Sequence, residues 1–260
     1  MITKRLFKRE RMSKILEIIN ERGFVSLKEL QRILGVSEIT VRRDVKELNE
    51  RALARKVYGG IKKIDSDPPE ARFAERRMHH ANEKTLVAKR AVDLVEDGDT
   101  IFIDASSTTF EFAKLCKEKR NNLHVVTNSL ITALELIKNP TNAITIIGGM
   151  IRNDNMSVVG FTAEKMVQGL NVEKAFVSCR AFEPNEGTFE TNPSESMIKR
   201  EMIKNSNKIY LLVDYSKLFK RATFFTIPVK RINAVLTDDK GYELLKTLAL
   251  NVRLVNGKTK

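Results

Sequence analysis

Along the first sixty residues, apolar positions return every three or four residues. In "RLFKRERMSKILEIINERG", Ile15, Leu16, Ile18 and Ile19 stand at helical spacing, and Gly23 supplies a C-terminal stop. "VSLKELQRILGVS" sets Ser26 at an N-cap with Glu29 three residues on, a capping-box pattern that opens a second helix through Leu30, Ile33 and Leu34. A third helix starts at Ser37 in "SEITVRRDVKEL", with Glu38 favourably placed at the positive end of its dipole. At 100° per residue, Val41, Val45 and Leu48 share one stripe; Ile39, Arg43 and Lys46 point away from it, and Arg42 lies on the flank. The connection "LGVS" is short, contains Gly35 and buries Val36, as the tight turn of a helix-turn-helix unit requires. After it, "ALARKVYGGIKK" alternates apolar and basic residues around Tyr58 and Gly59-Gly60, which predicts a small β-hairpin or wing.

The pattern then changes. From Ile64 to about Lys84 the chain is polar and broken by Pro68 and Pro69, so residues 1–63 read as one domain, 64–83 as a linker and 84–260 as a second domain. In that second domain, continuous β-branched runs ("TIFIDAS", "LHVVTNS", "AITIIGG", "KAFVSC", "KIYLLVD", "INAVLTD") are mostly separated by amphipathic segments. Apolar strands alternating with helices predict an α/β domain with a mostly parallel sheet covered on both faces.

Charge sharpens the division. Residues 1–63 hold 17 Lys+Arg against 8 Asp+Glu, whereas the other 197 residues hold 29 against 25, within a chain of net charge +13. A basic module ahead of a near-neutral body is the electrostatic footprint of a nucleic-acid binder. No apolar run approaches the roughly 20 residues that span a bilayer, and "MITKRLFKRE" lacks a secretory core, so a soluble, cytoplasmic protein with no membrane partner is expected. Cys116 and Cys179 have neither metal nor disulfide-scaffold spacing and read as buried free thiols; His79 and His80 diverge by 100° on a helix with no third ligand nearby. No metal or cofactor is expected.

Candidate chemistry falls into two groups. In the basic module, Ser37, Thr40, Arg42, Arg43 and Lys46 lie on the third helix; Arg55, Lys56, Lys62 and Lys63 of the wing would reach phosphates, with Tyr58 among them and Ser26 opening the second helix. Arg suits bidentate reading of guanine, and Ser or Thr can bond a phosphate or a base edge. Which arginine reads and which anchors is open at this level. Asp44 would repel phosphate, which assigns it to an internal ion pair; Ile39 reads as ordinary surface. In the second domain, small polar groups follow the strands: Asp104 with Ser106, Ser107, Thr108 and Thr109; Thr127 and Asn128; Gly148 and Gly149; Asp214 with Lys217. Carboxyl ends of parallel strands line the ligand crevice of open α/β sheets. The "SSTT" run opening a helix suits an anion such as phosphate, with Lys217 as a compensating charge.

The residues Arg11, Ile15, Ile19, Ser37, Thr40, Val41, Arg42, Arg43, Asp44 and Val45 together resemble the N-terminal signature of the DeoR family of bacterial transcription regulators. From Glu83 to Asp239, "EKTLVAKRAVDLVEDGDTIFIDASSTT", "VVTNS", "IIGGM", "GTFETNPSESMIKREM" and "LLVDYSKLF" follow the order of that family's effector domain. This chain has Ser106 where the family pattern usually has Gly. The resemblance implies a winged helix-turn-helix whose third helix enters the major groove of a double-stranded operator. It also implies a sensor domain similar in fold to ribose-5-phosphate isomerase that binds a phosphorylated sugar. A single small module covers too little DNA for strong specificity, so a homo-oligomer is expected.

The rival function is a sugar-phosphate isomerase with a DNA-binding appendage. Proton shuttling needs a positioned carboxylate. Where the isomerases carry a doubled acidic motif, this chain reads "SCRAFEP" with Arg180 and only Glu183. Glu195 and Lys199 match the isomerase's catalytic helix, although their spacing also fits an i,i+4 surface pair. Turnover is therefore not expected, and Glu195 joins the ligand set. A nucleoid or RNA-binding protein would account for the charge but not for the crevice.

Overall fold

Gly23, with φ of 77°, ends the first helix, α1 (Lys8–Arg22), and the chain passes through a short strand, β1 (Phe24–Ser26), into α2 (Leu27–Leu34). In this computed structural model, residues 7–50, 53–57, 59–62, 73–248 and 253–255 are described. They divide into two units, Met1–Glu70 and Ala71–Lys260. In the first unit, left-handed Gly35 closes α2, and α3 (Glu38–Glu50) follows, then the wing strands β2 (Arg55–Val57) and β3 (Gly60–Lys62). The strands form an antiparallel sheet in the order β1-β3-β2. A Cβ on Gly60 would lie 2.5 Å from the Val25 carbonyl oxygen, so the close β1–β3 approach requires glycine there.

Ile15, Ile19, Leu30, Val41, Val45, Leu48 and Ile61 make the core of this unit. Three expectations change. Ile33 is exposed, because the buried stripe of α2 runs through Leu27, Leu30 and Leu34; Val36 is only half-buried. The capping box is half-made: Ser26 Oγ accepts from Glu29 N at 3.2 Å, but the Glu29 carboxylate turns to Arg22 at 2.8 Å.

The second unit opens within the expected linker. Residues from Phe73 onward are already helical, as α4 (Phe73–Met78) and α5 (Ala81–Val92). Phe73 is buried edge-on against Phe110, and its N–H donates to the Asp154 carbonyl at 2.9 Å. That apolar anchor draws the segment onto the domain. The chain then runs through β4 (Thr100–Ile103), α6 (Ser107–Lys119), β5 (His124–Thr127), α7 (Leu130–Leu136), β6 (Ala143–Ile146), the hairpin β7 (Met150–Arg152) and β8 (Ser157–Val159), α8 (Phe161–Gln168) and β9 (Val172–Val177). It continues through β10 (Ala181–Glu183), β11 (Gly187–Glu190), α9 (Pro193–Lys204), β12 (Ser206–Leu212), β13 (Phe224–Pro228), β14 (Ala234–Leu236), α10 (Asp239–Leu245) and β15 (Arg253–Val255).

All six runs read as strands lie in one sheet, ordered β15-β14-β12-β9-β4-β5-β6, and every neighbouring pair is parallel. Alternate side chains go to opposite faces. Ile101, Ile103, Val125 and Phe176 pack under α5, α6 and α7 with Val87, Ala91, Phe112 and Leu136. Phe102, Val126, Ala175 and Leu211 pack on the other face with Ala163, Val167, Ile198, Met202 and Leu245. A second, antiparallel sheet, β10-β11-β13, adjoins α9. Chain order reverses direction between β4 and β9, so the switch point of the large sheet lies where β4 gives way to Asp104 and β9 to Ser178.

Candidate functional site

On α3, Ser37 caps the helix: its Oγ accepts from Thr40 N at 3.4 Å and lies 2.9 Å from Thr40 Oγ1. Val41, Asp44, Val45 and Leu48 are buried, while Ile39, Arg42, Arg43 and Lys46 stand in solvent. Asp44 takes the Nε of Arg11 at 2.8 Å and its Nη2 at 3.2 Å, a buried two-pronged pair that clamps α3 to α1. Its partner is therefore a scaffold arginine and neither of the outward pair. Arg42 pairs instead with Glu38, one turn back, at 2.5 Å. Lys56 is exposed and Lys62 half-buried; Tyr58, Lys63 and the side chain of Arg55 lie outside the described residues. Helix α3 thus presents a cationic face of Arg42, Arg43 and Lys46 on a base fixed from within.

At the switch point of the large sheet, several residues expected to meet a ligand are bonded inward. Asp104 is fully buried: its carboxylate accepts from Thr109 Oγ1 at 2.8 Å, from Ser178 N at 3.1 Å and from Lys199 Nζ at 2.9 Å. Ser106 caps α6 by accepting from Thr109 N at 3.1 Å. Asn128 Oδ1 accepts from Ala105 N and its Nδ2 donates to the Val158 carbonyl, while Thr127 Oγ1 accepts from Ser129 N. These bonds hold the loops in shape. Gly148 and Gly149 are exposed, and a Cβ on Gly149 would lie 2.8 Å from the Val159 carbonyl oxygen, which accounts for that glycine by packing. Ser107 and Thr108, at the first turn of α6, are buried hydroxyls beside the same strand end.

Glu195 and Lys199 are not a surface pair. Docking of α9 on the sheet buries both, and they face different partners. Lys199 Nζ joins Asp104, Glu190 at 2.5 Å and the Ser178 carbonyl at 2.8 Å. Burial alone would lower its pKa, but the carboxylates of Asp104, Glu190 and Glu195 hold it well above the usual range, so it stays an ammonium. Glu195 Oε1 collects Arg152 at 2.7 Å, Asn155 Nδ2 at 2.9 Å and Ser157 Oγ at 2.5 Å. Its other oxygen, Oε2, is buried with no hydrogen-bond partner among the described residues. Asp214 is alike: Oδ1 accepts from Ser216 N at 2.9 Å, and buried Oδ2 has no such partner.

Around these acceptors stand cations that sequence reasoning did not assemble. Burial pulls Lys217 below its ordinary pKa; Asp214 opposes the shift, and Arg180 and Arg76 reinforce it. Burial likewise pushes Lys84 down to about 8, with Asp214 opposing and Lys217 and Arg76 adding to the fall. The Arg76 guanidinium donates to Asn155 Oδ1, and Asn155 in turn donates to Glu195 and to the Ala105 carbonyl. Lys217 therefore feels Arg76 and Arg180, and Lys84 feels Lys217 and Arg76, beside two buried carboxylate oxygens that have no partner among the described residues. An anion there would relieve the mutual repulsion, and hydroxyl groups could donate to the free acceptors. Cys179 borders the site as a buried free thiol, as is Cys116 elsewhere.

No helix among the described residues is long and apolar enough to cross a membrane. Comparison with known proteins agrees with both halves of this geometry. Residues 11–67 match the DeoR-like helix-turn-helix domain, and residues 79–239 match the DeoR C terminal sensor domain. The chain is 31% identical to the HTH-type transcriptional regulator GolR of Listeria innocua, over 90% of this chain and 92% of that protein. It is also 31% identical to the lactose phosphotransferase system repressor of Staphylococcus epidermidis, over 96% and 99%. Among solved structures, a D-ribose-5-phosphate isomerase in complex with phospho-erythronic acid aligns with 54% of this chain and 55% of its own, at 20% identity and a TM-score of 0.42. With an outward cationic helix in the first unit, a carboxylate-and-cation site in the second, and family matches spanning both, the chain belongs to the DeoR family of transcriptional regulators.

Proposed function

We propose that the protein is a sequence-specific repressor of a sugar-metabolism operon, acting as a homo-oligomer, whose grip on operator DNA is set by a phosphorylated sugar. The observation that carries this reading is the site at the sheet's switch point. Lys217, Lys84, Arg76 and Arg180 supply positive charge for a phosphoryl group, and Glu195 Oε2 and Asp214 Oδ2 are buried acceptors ready for sugar hydroxyls. The printed name of the Staphylococcus relative, a repressor of a lactose system, points the same way. Binding without turnover is supported by the relatives, which are named as transcriptional regulators and repressors, and by the pairing of both buried acids, Asp104 and Glu190, with Lys199. Ser37, Thr40, Arg42, Arg43 and Lys46 would face the duplex, and paired heads would read two half-sites.

Thermal melts test this directly. Glucose 6-phosphate, ribose 5-phosphate, fructose 1-phosphate and their unphosphorylated parents are screened against the full chain. A phosphorylated sugar should raise the melting temperature by mass action and shift a gel-retardation titration with operator DNA, and its unphosphorylated parent should do neither. Lys217→Ala should abolish the melting shift. Equal responses to phosphorylated and unphosphorylated sugars would refute the reading, and so would measurable isomerisation of a bound sugar phosphate.

A further inference from the structure

We propose that Arg76 and Lys84 form the phosphate-binding wall of the sensor site, and that through Arg76 the occupancy of the site controls how firmly α4 is docked on the sensor domain. The inference rests on the anion-binding reading above and extends it to two residues on elements that lie before the sheet. Helix α4 has six residues and is the first described element after the wing, so the chain enters the sensor domain through it.

Helix α4 is seated by ring, backbone and charge contacts, among them the Phe73 N–H on the Asp154 carbonyl. The Phe73 ring sits 5.6 Å from that of Phe110, and Arg77 lies over the Phe110 ring and bonds Glu111 at 3.1 Å. From the site side, Arg76 donates to Asn155 of the β7–β8 turn, and Lys84 Nζ donates to the carbonyls of Arg76 and His79, the latter at 2.5 Å. The Arg76 and Lys84 ties, unlike that of Arg77, belong to the network that meets the ligand: Asn155 also donates to Glu195, and Lys84 interacts with Asp214 and Lys217.

Without an anion, Arg76, Lys84 and Lys217 repel one another and Asp214 offsets part of that repulsion, the remainder of which falls on α4 through Arg76. A phosphomonoester dianion among them turns the repulsion into attraction and presses α4 onto the domain. Linkage makes the effect reciprocal: whatever loosens α4 must weaken the anion by the same factor.

The experiment is hydrogen–deuterium exchange on the full chain, with inorganic phosphate and glucose 6-phosphate as probes and sodium chloride as the ionic-strength control. Peptides covering 73–80 should exchange several-fold more slowly with either phosphate probe, in parallel with a raised melting temperature. Arg76→Gln should lose both effects, and Arg76→Lys should restore part of each. Phe73→Ala removes the seating ring without removing a charge, so it should speed exchange in 73–80 and weaken phosphate by a matching factor. A phosphate-induced melting shift with unchanged exchange at 73–80 would overturn the coupling while leaving the anion site intact. No melting shift with either probe would overturn both.

Discussion

Asp44 shows how one buried carboxylate can serve a surface it never touches. It lies on the inward stripe of α3 and holds Arg11 of α1 with two hydrogen bonds, which fixes the rotation of the helix that carries Arg42 and Arg43. Removing one member of a buried pair leaves the other charge uncompensated, at a cost of about 3–5 kcal/mol. Asp44→Ala should therefore unfold much of the N-terminal unit in a urea titration, and the double change Arg11→Met with Asp44→Leu should recover most of the loss. Lys84 carries a different consequence. With its pKa pushed from 10.5 to about 8, the unfolded chain binds a proton that the folded chain lacks across that window, so this group makes stability rise with pH there. Burial dominates the shift; Lys217 and Arg76 act with it, and Asp214 and Glu111 against it. An anion beside Lys84 favours the protonated form. Phosphate affinity should thus fall as pH rises through about 8, where a phosphomonoester, with its second pKa of about 6, is already a dianion. Calorimetric titrations across that range should show proton uptake on binding, and Lys84→Met should flatten the profile.

At the scale of elements, α3 separates support from contact within thirteen residues. Arg42 and Arg43 are exposed, so alanine at either should leave the circular dichroism and melting of the protein unchanged. Each should weaken operator binding by about 1–3 kcal/mol if the residue reads a base, with relaxed preference at that position. A residue that holds only phosphate should instead lower the salt dependence of binding by about one unit of slope. This helix was legible in the sequence because its apolar period and its Ser37 cap are local. So were the six strands, since burial on both faces leaves continuous apolar runs. The residues that complete the sensor site were not. Arg152 and Asn155 belong to a hairpin of two three-residue strands, whose "RNDN" turn looks like any polar loop. Arg76 lies in the six-residue α4, seated by Phe73 meeting Phe110, a contact 37 positions away in the chain, and Lys84 lies in the first turn of α5. Glu195 and Lys199 carry the spacing of a surface pair, and only the docking of α9 against the sheet turns them inward toward Arg152 and Asp104. Local periodicity reports which residues share a face; it does not report what that face meets.

Across the whole molecule, charge and topology are distributed unequally. The first 63 residues carry a net charge of +9 and the other 197 only +4, so attraction to a polyanion is concentrated in the small unit, while the larger unit sets Arg76, Lys84, Arg180 and Lys217 near the end of one sheet. The sheet has a further property. Its first strand in the chain, β4, lies inside it; β5 and β6 extend it on one side, and β9, β12, β14 and β15 extend it in succession on the other. Each strand as it emerges from the ribosome meets an edge that is already present, and none has to be inserted between two partners made earlier. Synthesis and assembly can therefore advance together, with β15 the last described strand to join the growing edge.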